Sequence, residues 1–287
     1  IKVALALHRR VLPAHHGVEN PIEPIASASS PVMLLKEPAP WLAHPQYPRR
    51  GGASAFGFGG TNFHVVLEEY QGQKAAAGAD RWPQELCLFR APGAEALIRK
   101  LEALLPALRS AERYSLSELS YALARECEAQ ANGGATAAIV TQNAATLITD
   151  LETLLVHLQG GTKPLPAHIR CNLATPSAAG DIAFLFPGQG AQHLNMGREA
   201  ALYFDELRQA LEGADRVLEG TAPQALSRYI LPASTFDEGE EALQTKALTD
   251  TRIAQPAIGA LSLGYLRLAE RLGFKAAAAA GHSYGEY

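Results

Sequence analysis

The sequence has little of what marks several protein classes. Its three cysteines, Cys87, Cys127 and Cys171, form no Cys-x-x-Cys pair, so neither a disulfide scaffold nor a zinc ribbon is expected. The 25 Lys and Arg residues nearly balance 29 Asp and Glu, without a basic block, which argues against nucleic-acid binding and polybasic membrane anchoring. No apolar run approaches the ~20 residues of a membrane span. We therefore expect a cytoplasmic location, with no nucleic-acid or membrane partner and no metal.

What the sequence does contain is apolar material for a core. Hydrophobic residues make up 47% of the 287 residues and charged residues 19%, a composition that excludes intrinsic disorder. At roughly 100–200 residues per domain, the length allows about two domains. The chain opens on Ile1, inside a helical pattern and without an initiator Met, and stops at Tyr287. We expect it to be a piece of a longer protein.

The first zone, residues 1–70, is irregular and rich in Pro and His. It begins with a helical run at residues 1–11 and ends in strand-like alternation at residues 63–68, where His64 is predicted to pack in a core. The stretch between them reads as extended chain and turns. Residues 71–80, rich in Gly and Ala, are predicted to be a linker.

The middle zone reads as a small α/β module. Strands are predicted at residues 86–90 and 135–140. Three helices are predicted as well. Leucines at helical spacing indicate them, and Ser115 with Glu118 forms a capping-box pattern at the start of the second. Residues 162–180 are predicted to be a second segment without regular secondary structure. The zone carries no motif of catalytic type, which favours a spacer or a docking surface.

The third zone holds the strongest motif, Gly281-x-Ser283-x-Gly285, directly after a predicted strand at residues 276–280. A nucleophilic serine benefits from a strained strand-to-helix turn that exposes its Oγ and aims the following N–H at a developing oxyanion. A Cβ at either glycine would collide with a neighbouring strand or helix. The spacing predicts a nucleophilic serine. Further helices are predicted around residues 200–218 and 253–272.

Two glycine-rich turns accompany this motif. Residues 186–192 (FPGQGAQ) end a predicted strand at 182–186 and lack the glycines and lysine of dinucleotide and P-loop signatures. They form either an ordinary strand-to-helix turn or a ligand-facing turn, in which the N–H groups of Gln189 and Tyr284 would bind an oxyanion. Residues 56–62 (FGFGGTN) precede a strand and form either a glycine-rich bend or part of an active-site lining.

These motifs together resemble a type I polyketide synthase. Residues 56–68 (FGFGGTNFHVVLE) look like the carboxyl-terminal signature of a ketosynthase. The pair FPGQGAQ and GHSYGE, with Gln-Pro-Ala at residues 255–257, looks like the first half of a malonyl-CoA-type acyltransferase. Tyr284 departs from the small or aliphatic residue common between Ser and Gly in modular enzymes. In that respect the chain is similar to iterative relatives that make polyunsaturated fatty acids or enediyne cores.

The resemblance implies an α/β fold in three parts. Residues 1–70 would be the carboxyl-terminal segment of a thiolase-like ketosynthase, and residues 71–180 the linker module between ketosynthase and acyltransferase. Residues 181–287 would be the first part of an α/β-hydrolase-like acyltransferase domain.

The resemblance also implies roles for individual residues. Ser283 would be the nucleophile, and the N–H groups of Gln189 and Tyr284 the oxyanion hole. The residues placed near substrate are His282, Gln255, Gly188, Gly190 and Phe58, the last as a gate at the ketosynthase site. The ketosynthase Cys and His residues would lie upstream of Ile1, and the acyltransferase His base downstream of Tyr287.

The implied activity moves a malonyl-type unit from coenzyme A, through Ser283, to the phosphopantetheine thiol of an acyl carrier protein, beside a decarboxylative-condensing ketosynthase. No cofactor would bind the chain itself, and its partners would be acyl-CoA, the carrier protein, the rest of the synthase and a second copy joined through the ketosynthase. Two other functions stay open: a non-catalytic scaffold that docks a carrier protein, and a stand-alone serine hydrolase, which would need Asp and His later in the chain.

Overall fold

The structure, a computed structural model, describes residues 1–26, 30–72, 82–110, 115–130, 134–173, 180–236 and 238–287. The chain forms two compact units. The middle unit is Arg81–Gly180, and the split unit combines Ile1–Asp80 with Asp181–Tyr287. The predicted linker at residues 71–80 lies mostly outside the described residues. None of the described helices is long and apolar enough to cross a bilayer.

The strands and helices of the described residues follow in chain order. Strands β1 to β9 are Val11–Leu12, Ala39–Pro40, Arg50–Phe56, Asn62–Glu68, Glu85–Ala91, Ala135–Thr141, Ile169–Asn172, Ile182–Phe186 and Ala276–Gly281. Helices α1 to α10 are Lys2–Arg9, Glu23–Ala26, Ala94–Ser110, Leu116–Ala129, Ala144–Leu158, Arg198–Tyr203, Asp205–Val217, Leu226–Ile230, Glu238–Thr249 and Thr251–Arg271. A 3₁₀ turn, Ser283–Glu286, follows β9.

The middle unit is an antiparallel sheet in the order β5-β6-β7, packed with α3, α4 and α5. Alternate residues of β6 are buried, as expected for a strand with one face on a core. Side chains without solvent exposure in this core are Cys87, Leu97, Leu101, Ala135, Ile139, Leu147, Leu151, Leu154 and Ile169. The predicted α/β module, with its two strands and three helices, is confirmed.

Two expectations for this unit need correction. Residues 162–180, predicted to lack regular structure, contain β7, which pairs with β6 and buries Ile169. The sequence did not reveal this strand because four residues are too few to show a period. Helix α4 begins where predicted, after Ser115, but Ser115 makes no capping bond, because its Oγ lies 2.8 Å from the Oγ of Ser117.

The carboxyl-terminal part of the split unit joins a parallel strand pair to a helical layer. Strands β8 and β9 lie side by side, and α10 packs on α7, where Gly264 allows close contact with Leu207. The predicted helix at residues 200–218 is two helices, because Phe204 adopts an extended conformation between α6 and α7. No clear helical pattern in the sequence predicted helices α8 and α9.

The amino-terminal part of the split unit contains the β3–β4 hairpin. Arg49, only 5% exposed, ties it to a helix: its guanidinium donates to Glu69 and to Glu212 of α7, both at 2.7 Å. The same Glu212 carboxylate accepts a bond from the N–H of Ala43 at 2.7 Å. The placement of His64 in a packed core was wrong, because His64 is exposed and lies 2.7 Å from the Oγ of Ser54.

The thiols of the middle unit should differ in reactivity at pH 8. Burial raises the pKa of Cys87 to about 11, with Glu85 adding to the effect, and burial raises the pKa of Cys127. Because only the thiolate reacts, iodoacetamide should label the half-buried Cys171 first and the other two only slowly. Peptide mass mapping over time measures the three rates, and in denaturing urea they should converge.

The shift of Cys87 also predicts a pH dependence. The native state holds the thiol proton more tightly than the unfolded state, so the free energy of unfolding should fall as pH rises from about 9 to about 11. A Cys87→Ala variant should show a flatter slope in urea titrations over this range. Equal slopes, or labelling of Cys87 as fast as that of Cys171, would contradict this account.

Candidate active site

The two predicted motifs meet at one edge of the parallel strand pair. Phe186, the last residue of β8, is the register partner of Gly281, the last residue of β9. The N–H of His282 donates to the carbonyl oxygen of Phe186 at 3.1 Å. Because parallel strands end at the same edge, the turn after each strand enters the same space. The chain from Pro187 to Gln192 therefore lies against the turn that carries Ser283.

Ser283 occupies a strained turn, as its motif predicts. Its φ angle is 57°, in the left-handed region that residues with a Cβ rarely adopt. The N–H of Ser283 donates to the Glu286 carboxylate at 3.1 Å, and the N–H of Gly285 donates to the carbonyl oxygen of His282 at 3.0 Å. Such a conformation costs of order 1–3 kcal/mol and persists only where its surroundings hold it. The side chain is exposed, so its hydroxyl can meet a substrate.

Three glycines of the two motifs are required by close contacts. A Cβ on Gly281 would overlap the backbone of Gly285, and a Cβ on Gly285 would overlap the carbonyl oxygen of Phe186. Gly188 is buried, and a Cβ there would meet the carbonyl oxygen of His282 and lie 2.7 Å from the Cβ of Ser283. The glycine-rich turn thus approaches the serine turn backbone to backbone.

The backbone N–H groups of these turns differ in their hydrogen bonding. The N–H of Gly190 donates to the Gln192 side chain at 2.7 Å, and that of Ala191 donates to the carbonyl oxygen of Gly188 at 3.3 Å. Among the hydrogen bonds of the described residues, none uses the N–H of Gln189 or of Tyr284. These are the two groups that sequence reasoning selected as oxyanion donors.

The Gln189 side chain is held by α10. Its Nε2 donates to the Thr251 hydroxyl at 3.1 Å, and its Oε1 lies 3.5 Å from the Nε2 of Gln255. The structure therefore brings together Gln189 and Gln255, two predicted site residues. Thr251 was missed by sequence reasoning, although it lies four residues before Gln255 and hence on the same helix face.

The Tyr284 ring packs on the same helix at a glycine. A Cβ on Gly259 would lie 2.8 Å from the Tyr284 hydroxyl oxygen, so the small residue on α10 makes room for the large residue after Ser283. The Tyr284 and Tyr287 rings are 6.3 Å apart. A bulky residue at position 284 is thus compatible with this helix because residue 259 has no side chain.

A cleft of about 660 Å³ lies between β8, the glycine-rich turn and α10. His193 lines it, as do Pro187 and Ala191 of the turn and Tyr265 of α10. Burial raises the pKa of Tyr265, and Glu199 adds to the effect. The apolar remainder of the lining is suited to carbon chains rather than to charge.

The other predicted residues differ in their placement. Exposed His282 precedes Ser283 and joins the site through its backbone. Phe58 is fully exposed at the tip of the β3–β4 hairpin, and no hydrogen bond or ring contact among the described residues links it to Ser283. Across the described ranges, no group of three or more His, Cys, Asp or Glu could hold a metal ion.

Comparison with known families finds a match in the carboxyl-terminal part of the chain. Residues 183–287 match the family described as acyl transferase domain. The matched region is thus similar to a family of transferase enzymes, and both the strained serine turn and the glycine-rich turn lie within it.

Over its full length the chain is similar to parts of polyketide-type synthases. A polyunsaturated fatty acid synthase protein of Thraustochytrium sp. (strain ATCC 26185 / S-3) is 29% identical, over 100% of this chain and 11% of that protein. A phenolphthiocerol/phthiocerol polyketide synthase protein of Mycobacterium tuberculosis (strain ATCC 25618 / H37Rv) is 31% identical, over 100% of this chain and 18% of that protein. The chain thus spans less than a fifth of either relative. The predicted resemblance to type I polyketide synthases is confirmed.

A solved structure supports the fold. The acyl transferase domain of ZmaA aligns with a TM-score of 0.60 at 23% identity, covering 72% of this chain and 44% of that chain. The expected α/β fold is therefore confirmed, and over the aligned 72% of this chain it is similar to part of an acyl transferase domain.

The contact between Gly188 and Ser283 predicts a sharp effect of one methyl group. Gly188→Ala should lower the free energy of unfolding of the split unit by about 1–3 kcal/mol, because backbone must shift to admit the Cβ. Gly213→Ala is the matched control, because Gly213 lies in α7 with open space around it and should gain up to about 1 kcal/mol from helix propensity. Urea unfolding followed by circular dichroism measures both. Equal stability of Gly188→Ala and the wild type would refute the close approach.

Proposed function

We propose that the chain belongs to the part of a type I polyketide or fatty acid synthase in which Ser283 accepts a malonyl-type unit from coenzyme A and passes it to an acyl carrier protein. The observation that carries the proposal is the arrangement at Ser283: an exposed hydroxyl on a left-handed turn, beside two N–H groups that find no acceptor within the described residues. The acyl transferase assignment of residues 183–287 supports it.

The proposed reaction has two displacements at one carbonyl carbon. The Ser283 Oγ attacks the thioester of the acyl-CoA, the C–S bond breaks, and the serine proton leaves with the coenzyme A thiol. The phosphopantetheine thiol of the carrier then attacks the serine ester, the C–O bond breaks, and Ser283 recovers a proton. Splitting the transfer in this way replaces one difficult step by two easier ones.

In both steps negative charge develops on the carbonyl oxygen. We assign its stabilisation to the N–H groups of Gln189 and Tyr284, with Gly188 and Gly190 shaping the turn and His282 and Gln255 bordering the substrate. One such donor is worth about 2.7–4 kcal/mol of barrier lowering. A donor without an acceptor in the free protein loses no hydrogen bond when the oxyanion forms, so both groups are suited to this role.

The finer assignments rest on the sequence resemblance. Residues 1–70 are proposed as a thiolase-like ketosynthase segment with Phe58 at its site, residues 71–180 as the linker module, and residues 181–287 as part of an α/β-hydrolase-like domain. A homodimer formed through the ketosynthase, phosphopantetheine on the carrier and a cytoplasmic location belong to the same proposal.

A second function fits the middle unit. Its own sheet and helices close a core. Polar pairs such as Lys100 with Glu126 at 2.8 Å and Ser120 with Glu85 at 2.8 Å link its elements outside that core. A compact module with its own core suits a spacer or a docking surface for the carrier. Carrier binding that maps to this unit and persists in Ser283→Ala would support this function.

Acyl loading tests the main proposal. The synthase that carries this chain, incubated with malonyl-CoA, should gain a malonyl mass on the peptide that contains Ser283, and Ser283→Ala should abolish that adduct. Peptide mass spectrometry after a short incubation measures the adduct, with Ser110→Ala, an exposed residue of α3, as a serine control that should label as the wild type does. Labelling that persists in Ser283→Ala would overturn the assignment of the nucleophile. Hydrolysis of simple esters without transfer to a carrier would favour a hydrolase.

A further inference from the structure

The hydroxyl of Thr251 makes its contact outside its own helix. Threonines inside helices commonly bond to the carbonyl oxygen one turn back, as Thr249 does to Thr245 at 2.8 Å. Thr251 is the first residue of α10, so its own helix has no preceding turn whose carbonyl oxygen could accept from it, and its Oγ1 accepts from Gln189 Nε2 at 3.1 Å. Among the hydrogen bonds of the described residues, this is the one in which the Thr251 side chain takes part.

The start of α10 is fixed without help from Thr251. Asp250 is the N-cap and accepts a bond from the N–H of Arg252 at 3.0 Å. Hydrogen bonds from the Arg252 side chain lower the pKa of Asp250 to about 2, so the cap stays charged at neutral pH. The helix end therefore has its capping group, and the Thr251 hydroxyl is left to serve the neighbouring turn.

That turn needs an external tether. Gln189 stands between two glycines, and the second, Gly190, has a φ of +110°. Glycines give the backbone more accessible conformations than any other residue. With its Nε2 on Thr251 and its Oε1 facing Gln255, the Gln189 amide has both ends held by α10. Fixing the side chain restricts rotation of the peptide whose N–H we assign to the oxyanion.

We propose that Thr251 is a positioning residue for acyl transfer, which acts by holding the Gln189 side chain so that the Gln189 N–H faces the acyl group on Ser283. This inference rests on the proposed function of Ser283 and Gln189. Thr251 does not touch the reacting atoms; it sets the orientation of a residue that does.

The test compares variants of the synthase that carries this chain, with malonyl-CoA as acyl donor. Thr251→Val removes the hydroxyl at nearly constant volume and should slow single-turnover acylation of Ser283 by about 2- to 12-fold, the worth of one hydrogen bond. The loss should fall on kcat with KM unchanged, because the oxyanion exists only in the transition state. Thr251→Ser keeps the hydroxyl and should stay within about 2-fold of the wild type. Thr249→Val, one residue before the cap, is the matched control and should acylate at the wild-type rate.

A second readout follows the turn itself. Amide hydrogen exchange of the peptide spanning residues 186–192 should be faster in Thr251→Val than in the wild type and unchanged in Thr249→Val. Wild-type acylation and exchange in Thr251→Val would overturn the inference. So would equal slowing in Thr251→Ser or in Thr249→Val, or a loss expressed in KM alone.

The two levels of proposal fail differently. If Ser283→Ala still acquires the malonyl mass, the proposed function is wrong whatever Thr251 does. If Ser283→Ala is unlabelled and Thr251→Val is acylated at the wild-type rate, the function stands and the role of Thr251 is wrong.

Discussion

The close approach of two backbone turns, at Gly188 and Ser283, is the constraint on which the candidate site depends. With no Cβ on Gly188, its backbone lies against the carbonyl of His282 and the Cβ of Ser283. The left-handed conformation of Ser283 is held in the resulting space by its own bond to Glu286 and by the bond from His282 to Phe186. The parallel register of β8 and β9 delivers both turns to one edge, so sheet geometry and glycine content act together.

Helix α10 contacts both turns and orients them. It contacts the glycine-rich turn through Thr251 and Gln255, and it receives the Tyr284 ring at Gly259. Packing of Gly264 against Leu207 fixes this helix on α7. A single rigid element thus supports both N–H groups assigned to the oxyanion, which is the kind of preorganisation that electrostatic catalysis requires.

A buried charge cluster adds to the apolar core of the split unit. Arg49 is nearly buried, and its guanidinium is satisfied by Glu69, Glu212 and the carbonyl oxygen of Trp41 at 2.6 Å. Removing one partner of such a cluster would leave a buried charge without compensation. The middle unit also has an apolar core, in which leucines of α3 and α5 cover its sheet.

Local sequence patterns were enough to predict the strands around the two motifs, the leucine-faced helices of the middle unit and the serine turn. Alternation, helical spacing and glycine at positions where a Cβ is excluded can all be read along the chain. These patterns did not reveal β7, helices α8 and α9 or the break at Phe204, where short segments carry too few residues for a period. Nor did they place His64, whose exposure depends on what packs against the hairpin.

Only the tertiary structure shows which residues contact the site residues. The bond of Thr251 to Gln189 joins residues 62 positions apart, and the fit of Tyr284 over Gly259 joins residues 25 apart. The sequence singled out Tyr284 as unusual but could not say what admitted it. Such contacts depend on how strands and helices pack across the sheet edge, and no spacing along the chain encodes that distance.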